Sequence, residues 1–366
     1  MYKVVLVEPD KRLQPQLSGA IREEPALELV AVFQEAETAM GRSSVFAPDL
    51  FLVNVEGAAD LAAMPELIRI FPQARVLGFM RDWQADLAEG ALKAGAQGCI
   101  LAPFSGTNVL EALELYKRRG KHLPTRNLAF FSPKGYAGRS TLASILAVEL
   151  AKASGEAVGL IDADLQFGDL AMFFDVSPEH NVVEASHDIK LLSPATLEPY
   201  FSQAEPGVWL LAGAVRPEHA ELVEADRLID VVRMAGSLFR YVLIDLPAGF
   251  NPISLALAEF ADTDVLTALL RGGQEIRHMK RSMRMFDMWR SYGKHVYPIF
   301  GRVEPCTEEK RRAIEAEFGG PVAGIMPEEP HLADLTSSGR LLKDLPEGAL
   351  AASIKKMAAD IVAGKR

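Results

Sequence analysis

Apolar residues along this chain come in short unbroken runs and in helical spacings, and the two alternate. Over the first 120 residues the runs predict strands at Lys3–Val7, Leu27–Phe33, Leu50–Val53, Arg75–Phe79 and Gly98–Leu101. Helices are predicted at Lys11–Glu24, Ala36–Ser43, Met64–Phe71, Ala85–Ala94 and Asn108–Arg119. Unbroken apolar runs are what strands covered on both faces look like. Strict strand–helix alternation implies a doubly wound parallel sheet, with ligands at the carboxyl ends of the strands.

The rhythm resumes after a basic stretch around Lys117–Arg126, which carries Gly120 and Pro124 and reads as an exposed linker. Strands are predicted at Leu128–Phe131, Ala157–Ile161, Val208–Ala212, from Arg240 to Asp245, at Asp264–Leu270 and at Val296–Phe300. After Ser140, the positions Leu142, Ile145, Leu146 and Leu150 fall on one helical face. Further helices are predicted at Pro217–Met234, Glu275–Tyr292 and Ala349–Val362, while 175–203 reads as irregular with short helical pieces. The expected organisation is therefore two doubly wound α/β domains, 1–120 and 127–366, joined by a linker at 121–126.

Composition narrows the classes. An apolar share of 49% over 366 residues supports large cores and argues against global disorder. A net charge of -10 disfavours nucleic acid as the main partner. Two cysteines, Cys99 and Cys306, are too few for a metal or disulfide framework and fit a reducing, cytoplasmic setting. The start MYKVVLVEPDKRL has no secretory pattern, and no run reaches the length of a membrane span. Arg277, Lys280, Arg281 and Arg284 form a basic stripe, read first as a solvated face. The terminal helix carries Leu350, Ile354, Met357 and Ile361 on one stripe, which favours docking onto its own domain.

The chemistry centres on Phe130–Thr141, FFSPKGYAGRST. A buried strand, a Gly-bearing loop and a helix start form the setting of a phosphate-binding loop. The usual G-x-x-x-x-G-K-[ST] pattern would place Gly at 133 and Lys at 139; here stand Pro133 and Arg139. On the pattern alone, a nucleotide site and an ordinary strand–helix turn packed at Gly138 remain equal readings. Asp162 and Asp164, two apart after a strand, project to one side and suit water-mediated Mg²⁺ binding beside a triphosphate. Two turn aspartates would look the same. Asp245 ends an apolar run, where a carboxylate receives a metal through water.

Lys134 decides between these readings. Lys134-Gly135-Tyr136-Ala137-Gly138-Arg139-Ser140-Thr141 resembles K-G-G-x-G-K-[ST]-T, the deviant Walker signature of the MinD/ParA ATPase superfamily, with Tyr136 and Arg139 substituted. Asp162–Asp169 (DADLQFGD) and Asp245–Gly249 (DLPAG) resemble that superfamily's next two motifs in the same order. Arg302 matches an Asn-Arg pair that helps recognise adenine, with Gly301 in place of Asn, and Gly324–Glu329 with Pro327 resembles the loop packed beside the base.

The first 120 residues resemble a response-regulator receiver through VVLVEPD, APDLFLVNVEG and AGAQGCILAPF. Glu8 and Asp10 keep part of the acidic pair, but the acceptor position is Asn54, the lysine position is Ala102, and no hydroxyl stands near Gly78-Phe79-Met80. An amide forms no acyl phosphate, so the expectation is a CheY-like pseudo-receiver for docking or dimerisation. A cation on Glu8 and Asp10 is the secondary reading.

Together these segments resemble TadZ/CpaE-type pilus assembly proteins. The resemblance implies ATP with Mg²⁺ on Lys134–Thr141, Ser140 on the metal, and Asp162 and Asp245 in its outer shell. It implies that Asp164 orients water, that Lys134 reaches the partner's nucleotide in a homodimer, and that Arg302 and Pro327 flank the base. It further implies Tad (Flp-type) pilus and secretion components as partners, peripheral association with that inner-membrane machine, and a place at the cell pole. Arg139 and Tyr136 lead us to expect weakened binding and slow or absent hydrolysis. A nucleotide-independent scaffold and a DNA-partitioning ATPase are the competing classes.

Overall fold

The computed structural model describes residues 1–82, 84–119, 125–290 and 295–364. The expected linker at 121–126 lies outside them except for Thr125 and Arg126, as do the last two positions of the helix expected to reach Tyr292. The chain divides into two compact units: Met1–Leu123 with Asp188–Glu198, and Pro124–His187 with Pro199–Arg366.

In the first unit, β1 (Tyr2–Val7), β2 (Leu27–Phe33), β3 (Leu50–Asn54), β4 (Arg75–Met80) and β5 (Gly98–Leu101) form one sheet in the order β2-β1-β3-β4-β5. Every pairing is parallel. This is the second common doubly wound order, with its switch point between β1 and β3. Every residue of β3 is buried, so its run Leu-Phe-Leu-Val shows no alternation. Val5, Phe51, Val53, Met64 and Leu67 belong to the core on one face of the sheet. The helix Pro194–Leu197 packs on β5 and on the helix Gly106–Arg119.

In the second unit, β6 (Arg126–Phe131), β7 (Val158–Asp162), β8 (Ser202–Glu205), β9 (Val208–Leu211), β10 (Tyr241–Asp245), β11 (Thr263–Leu269), β12 (His295–Val303) and β13 (Gly324–Pro327) form one sheet. Its order is β13-β12-β11-β6-β10-β7-β9-β8. Only β8 runs antiparallel, on β9 at the edge. The helix Arg139–Ser154 follows β6 and buries Leu142, Ile145, Leu146 and Leu150 in the larger core. The terminal helix Ala349–Val362 packs against it through Leu350 and Ile354, as its apolar stripe required.

Three local expectations are corrected. The single helix expected at Pro217–Met234 is a 3₁₀ turn, Pro217–Leu222, and an α-helix, Ala225–Ala235; Val223 between them is extended, at φ -94 and ψ 116. The region expected to be irregular up to Gln203 already contains the start of β8, and Gly324–Pro327, expected as a loop, is an edge strand.

Candidate nucleotide site

β10 lies between β6 and β7, so the carboxyl ends of three parallel strands meet in one place. Asp245 and Asp162 are register partners on β10 and β7, and Asp245 also pairs with Phe130 on β6. The loop after β6 runs from Ser132 to Gly138 and turns into the helix at Arg139. Gly138 caps that helix in the left-handed region, at φ 73. Tyr136 is also left-handed, at φ 57, a conformation a non-glycine residue rarely takes. Its ring is 92% exposed.

The loop borders a cavity of about 820 Å³, lined by Gly135–Thr141, Asp164, Gln166 and Pro247 among others. That volume lies within the range of small-molecule sites. A Cβ at Gly135 would meet nothing within 4 Å, so the backbone there is open to a ligand. Ser132, at the end of β6, is a residue the sequence reasoning did not single out. It lines the cavity and its hydroxyl is buried without a hydrogen-bond partner. Its only signal in the sequence was its place at the end of a buried strand. Lys134 is exposed and does not line the cavity.

Arg139 turns inward. Its Nε donates to Oδ1 of Asp245 at 2.5 Å and its Nη2 to Oδ2 of Asp164 at 3.0 Å. The guanidinium side chain is only 8% exposed, and Asp245 is fully buried. Burial opposes the arginine's charge, but Asp245 and Asp164 outweigh it and hold its pKa above the ordinary value. Burial pushes Asp245 up despite Arg139 and the Ser140 hydroxyl, which both pull it down. The Oδ2 of Asp245 has no partner in hydrogen-bonding geometry, although Ser140 stands close enough to lower its proton affinity.

Asp162 is held differently. Its carboxylate accepts the amides of Asp164 at 3.2 Å and Leu170 at 3.3 Å. Burial, then the charge of Asp245, raises its pKa well above the ordinary value of 3.8, so it keeps its proton to higher pH. The donor set does not fit a divalent ion in this arrangement. The carboxylates of Asp245 and Asp164 already receive a cation, and Asp162 is tied to backbone amides. Among the described residues no group of three or more His, Cys, Asp or Glu is placed to hold a metal.

Across the loop lies a second cavity of about 340 Å³, where Gly138, Leu269, Arg302 and Pro327 meet. Arg302, at φ 55, sits where the register of β12 and β13 shifts. Its Nε donates to Glu328 at 2.9 Å, and its Nη2 reaches the same oxygen. The hydroxyl of Thr267 lines this cavity and is buried without a hydrogen-bond partner. The structure thus brings Arg302 and Pro327 to one cavity and Asp164 and Ser140 to the other, while Asp162 and Asp245 are buried and line neither.

In the first unit the acidic pair is also occupied. Arg81, just after β4, reaches Asp10 at 3.1 Å, Glu56 at 3.3 Å and Glu8 at 4.0 Å. Buried Glu8 also accepts Nδ2 of Asn54 at 3.0 Å. The cation considered for Glu8 and Asp10 is supplied by the chain itself.

A parallel sheet with a glycine-bearing loop opening a helix beside two strand-end carboxylates defines a P-loop nucleotide-binding domain. Residues 128–342 match the family described as the CobQ/CobB/MinD/ParA nucleotide binding domain, and the chain belongs to that family. An uncharacterized ATP-binding protein of Methanocaldococcus jannaschii is 26% identical over 241 residues, 65% of this chain and 88% of that protein. The flagellum site-determining protein YlxH of Helicobacter pylori is 29% identical over 146 residues, 39% of this chain and 47% of its own length. A ParA family ATPase from Chlorobium tepidum shares the fold with a TM-score of 0.58 at 21% identity, covering 64% of this chain and 98% of that one. The septum site-determining protein MinD of Pyrococcus horikoshii, solved with Mg-ADP, gives 0.54 at 22% identity over 65% of this chain and 96% of that one.

Proposed function

We propose that this chain is an ATP-binding, dimerising factor that places a Tad (Flp-type) pilus and secretion machine at a cell pole, with hydrolysis slow or absent. The observation that carries the reading is the fork of Arg139 on Asp245 and Asp164 beside an open phosphate loop. The loop amides and the helix start offer an anion site. Asp164, the residue that would orient water, is engaged by Arg139 instead. Binding without efficient turnover suits a switch or scaffold. The MinD neighbour holds Mg-ADP; here the carboxylates that would serve the metal hold a guanidinium.

The subtype rests on the pairing of a receiver-like unit with Asp162–Asp169 and Asp245–Gly249, and a relative that determines flagellum sites suits a placement role. Dimerisation is supported by exposed Tyr136 and Phe167 beside the cavity and by exposed Lys134, available to a second copy. No helix among the described residues is long and apolar enough to cross a membrane, which is compatible with peripheral association with the machine.

Calorimetric titration with ATP tests the reading, in the full chain and in Ser140→Ala. The wild type should bind, Ser140→Ala should bind more weakly, and turnover should stay below about 1 per second. Faster turnover would refute the slow-hydrolysis claim. Absence of ATP binding would favour a nucleotide-independent scaffold, a second reading supported by the site's internal satisfaction through Arg139.

A further inference from the structure

We propose that Arg139 is the resident cation of this site, so that the site takes a nucleoside di- or triphosphate without a divalent metal. The inference rests on the nucleotide reading above and narrows its ligand from a metal–nucleotide complex to the free nucleotide.

The geometry is specific to arginine. One planar guanidinium bridges a carboxylate at the end of β10 and another after β7, at 2.5 and 3.0 Å. A lysine ammonium is a point charge on a flexible stem and does not present that fork. The guanidinium cannot be deprotonated in a protein. The pair is 8% and 0% exposed for Arg139 and Asp245, so little water screens it.

A magnesium ion in such a site keeps several of its waters, and those waters need carboxylate acceptors. Oδ1 of Asp245 and Oδ2 of Asp164 are already filled by N–H donors, and the unpartnered Oδ2 of Asp245 is fully buried on a residue that does not line the cavity. A dication there would also face a fixed like charge. Asp162 offers no substitute, because it is buried, each of its oxygens accepts a backbone amide, and it does not line the cavity. Arginine carries five N–H donors, of which these ion pairs use two. The others remain for phosphate oxygens, and Arg139 lines the cavity beside Gly138 and Ser140.

The test is ATP and ADP titration of the full chain in excess Mg²⁺ and, separately, in EDTA. Affinity should be equal in the two buffers within about twofold. The Arg139→Lys variant, checked for folding by circular dichroism, should prefer Mg²⁺ by about tenfold or more. Mn²⁺ added to the ADP-bound wild type should remain free by electron paramagnetic resonance. A wild type that binds nucleotide about tenfold tighter with Mg²⁺, or that immobilises Mn²⁺, overturns the inference while leaving nucleotide binding intact. A wild type that binds no nucleotide in either buffer overturns both. The wild-type comparison decides the matter even if Arg139→Lys does not fold.

Discussion

Gly168 backs onto Asp162 so closely that a Cβ at 168 would stand 2.3 Å from the Oδ2 of the carboxylate. That oxygen is buried and held by the amide of Leu170, so it cannot swing aside. Gly168→Ala should therefore destabilise the second unit by about 1–3 kcal/mol, the cost of overpacking. Gly135→Ala makes a contrasting control, because nothing lies within 4 Å of its Cβ position. Its urea midpoint should match wild type, and any loss of nucleotide affinity would then report a contact with the ligand. A destabilised Gly135→Ala would show that the space around position 135 is filled.

Tyr136 occupies the left-handed region at φ 57 with its ring in solvent. The conformation costs an L-residue roughly 1–2 kcal/mol, and glycine takes it freely. Part of that gain is lost because glycine also frees the unfolded chain. Tyr136→Gly should raise stability by about 0.5–1 kcal/mol in urea denaturation. An unchanged or lowered midpoint would mean that the ring makes contacts that offset the strain.

Much of this architecture was legible in the sequence, for identifiable reasons. Strands buried on both faces leave unbroken apolar runs: every residue of β3 is buried and it starts where its run does, and β5 begins and ends with its own. The terminal helix was legible from its stripe alone. What escaped lacks such a pattern. The edge strand β8 is Ser-Gln-Ala-Glu, polar and half-covered, so nothing in its composition marks pairing. The break at Val223 sits inside an otherwise helix-compatible run. The partners of Arg139 lie 25 and 106 residues away, and those of Arg81 up to 73 residues away at Glu8, beyond any local pattern. Asp188–Glu198 belongs to the first unit although its sequence neighbours belong to the second, which no periodicity reveals.

Arg81 closes the acidic end of the first sheet by reaching Asp10, Glu56 and the fully buried Glu8. It is 44% exposed, so water screens it and each pair contributes modestly, about 0.2–1 kcal/mol. Arg81→Ala should lower the melting temperature by a few degrees, and Mg²⁺ should recover part of that loss while leaving wild type unchanged. Wild type stabilised by Mg²⁺ would show that the acidic pair is open to a metal.

The two thiols should behave differently. Cys99 is buried on β5 beside Gly78, and burial pushes its pKa up to about 12 from 9.0. Cys306 is exposed, with a milder upward push from burial and then Glu304. A disulfide reagent on the native protein should titrate one thiol, Cys306, and a second only after denaturation. The raised value also sets a sign for stability. Between 9.0 and about 12 the unfolded chain loses the Cys99 proton while the folded chain keeps it, so stability falls with rising pH there. Wild type should lose more stability than Cys99→Ala across that window.

Leu269 stands between the two halves of the nucleotide site. A Cβ on Gly301 would lie 2.6 Å from its Cδ2, and a Cβ on Gly138 would lie 3.2 Å from the same atom. The superfamily resemblance would put Asn at 301, and the structure explains why glycine stands there: the space is filled by Leu269. Gly301→Asn alone should therefore destabilise by about 1–3 kcal/mol, since Leu269 is hemmed in on both sides. Leu269→Ala should create the room. In the double variant the two changes should be non-additive, with a coupling of about 0.5–3 kcal/mol in favour of the pair. If Leu269 is what restricts the base pocket, the double variant should also bind ATP more tightly than wild type. Additive stability losses would mean that the side chain introduced at position 301 clashes elsewhere, with the β12 backbone rather than with Leu269.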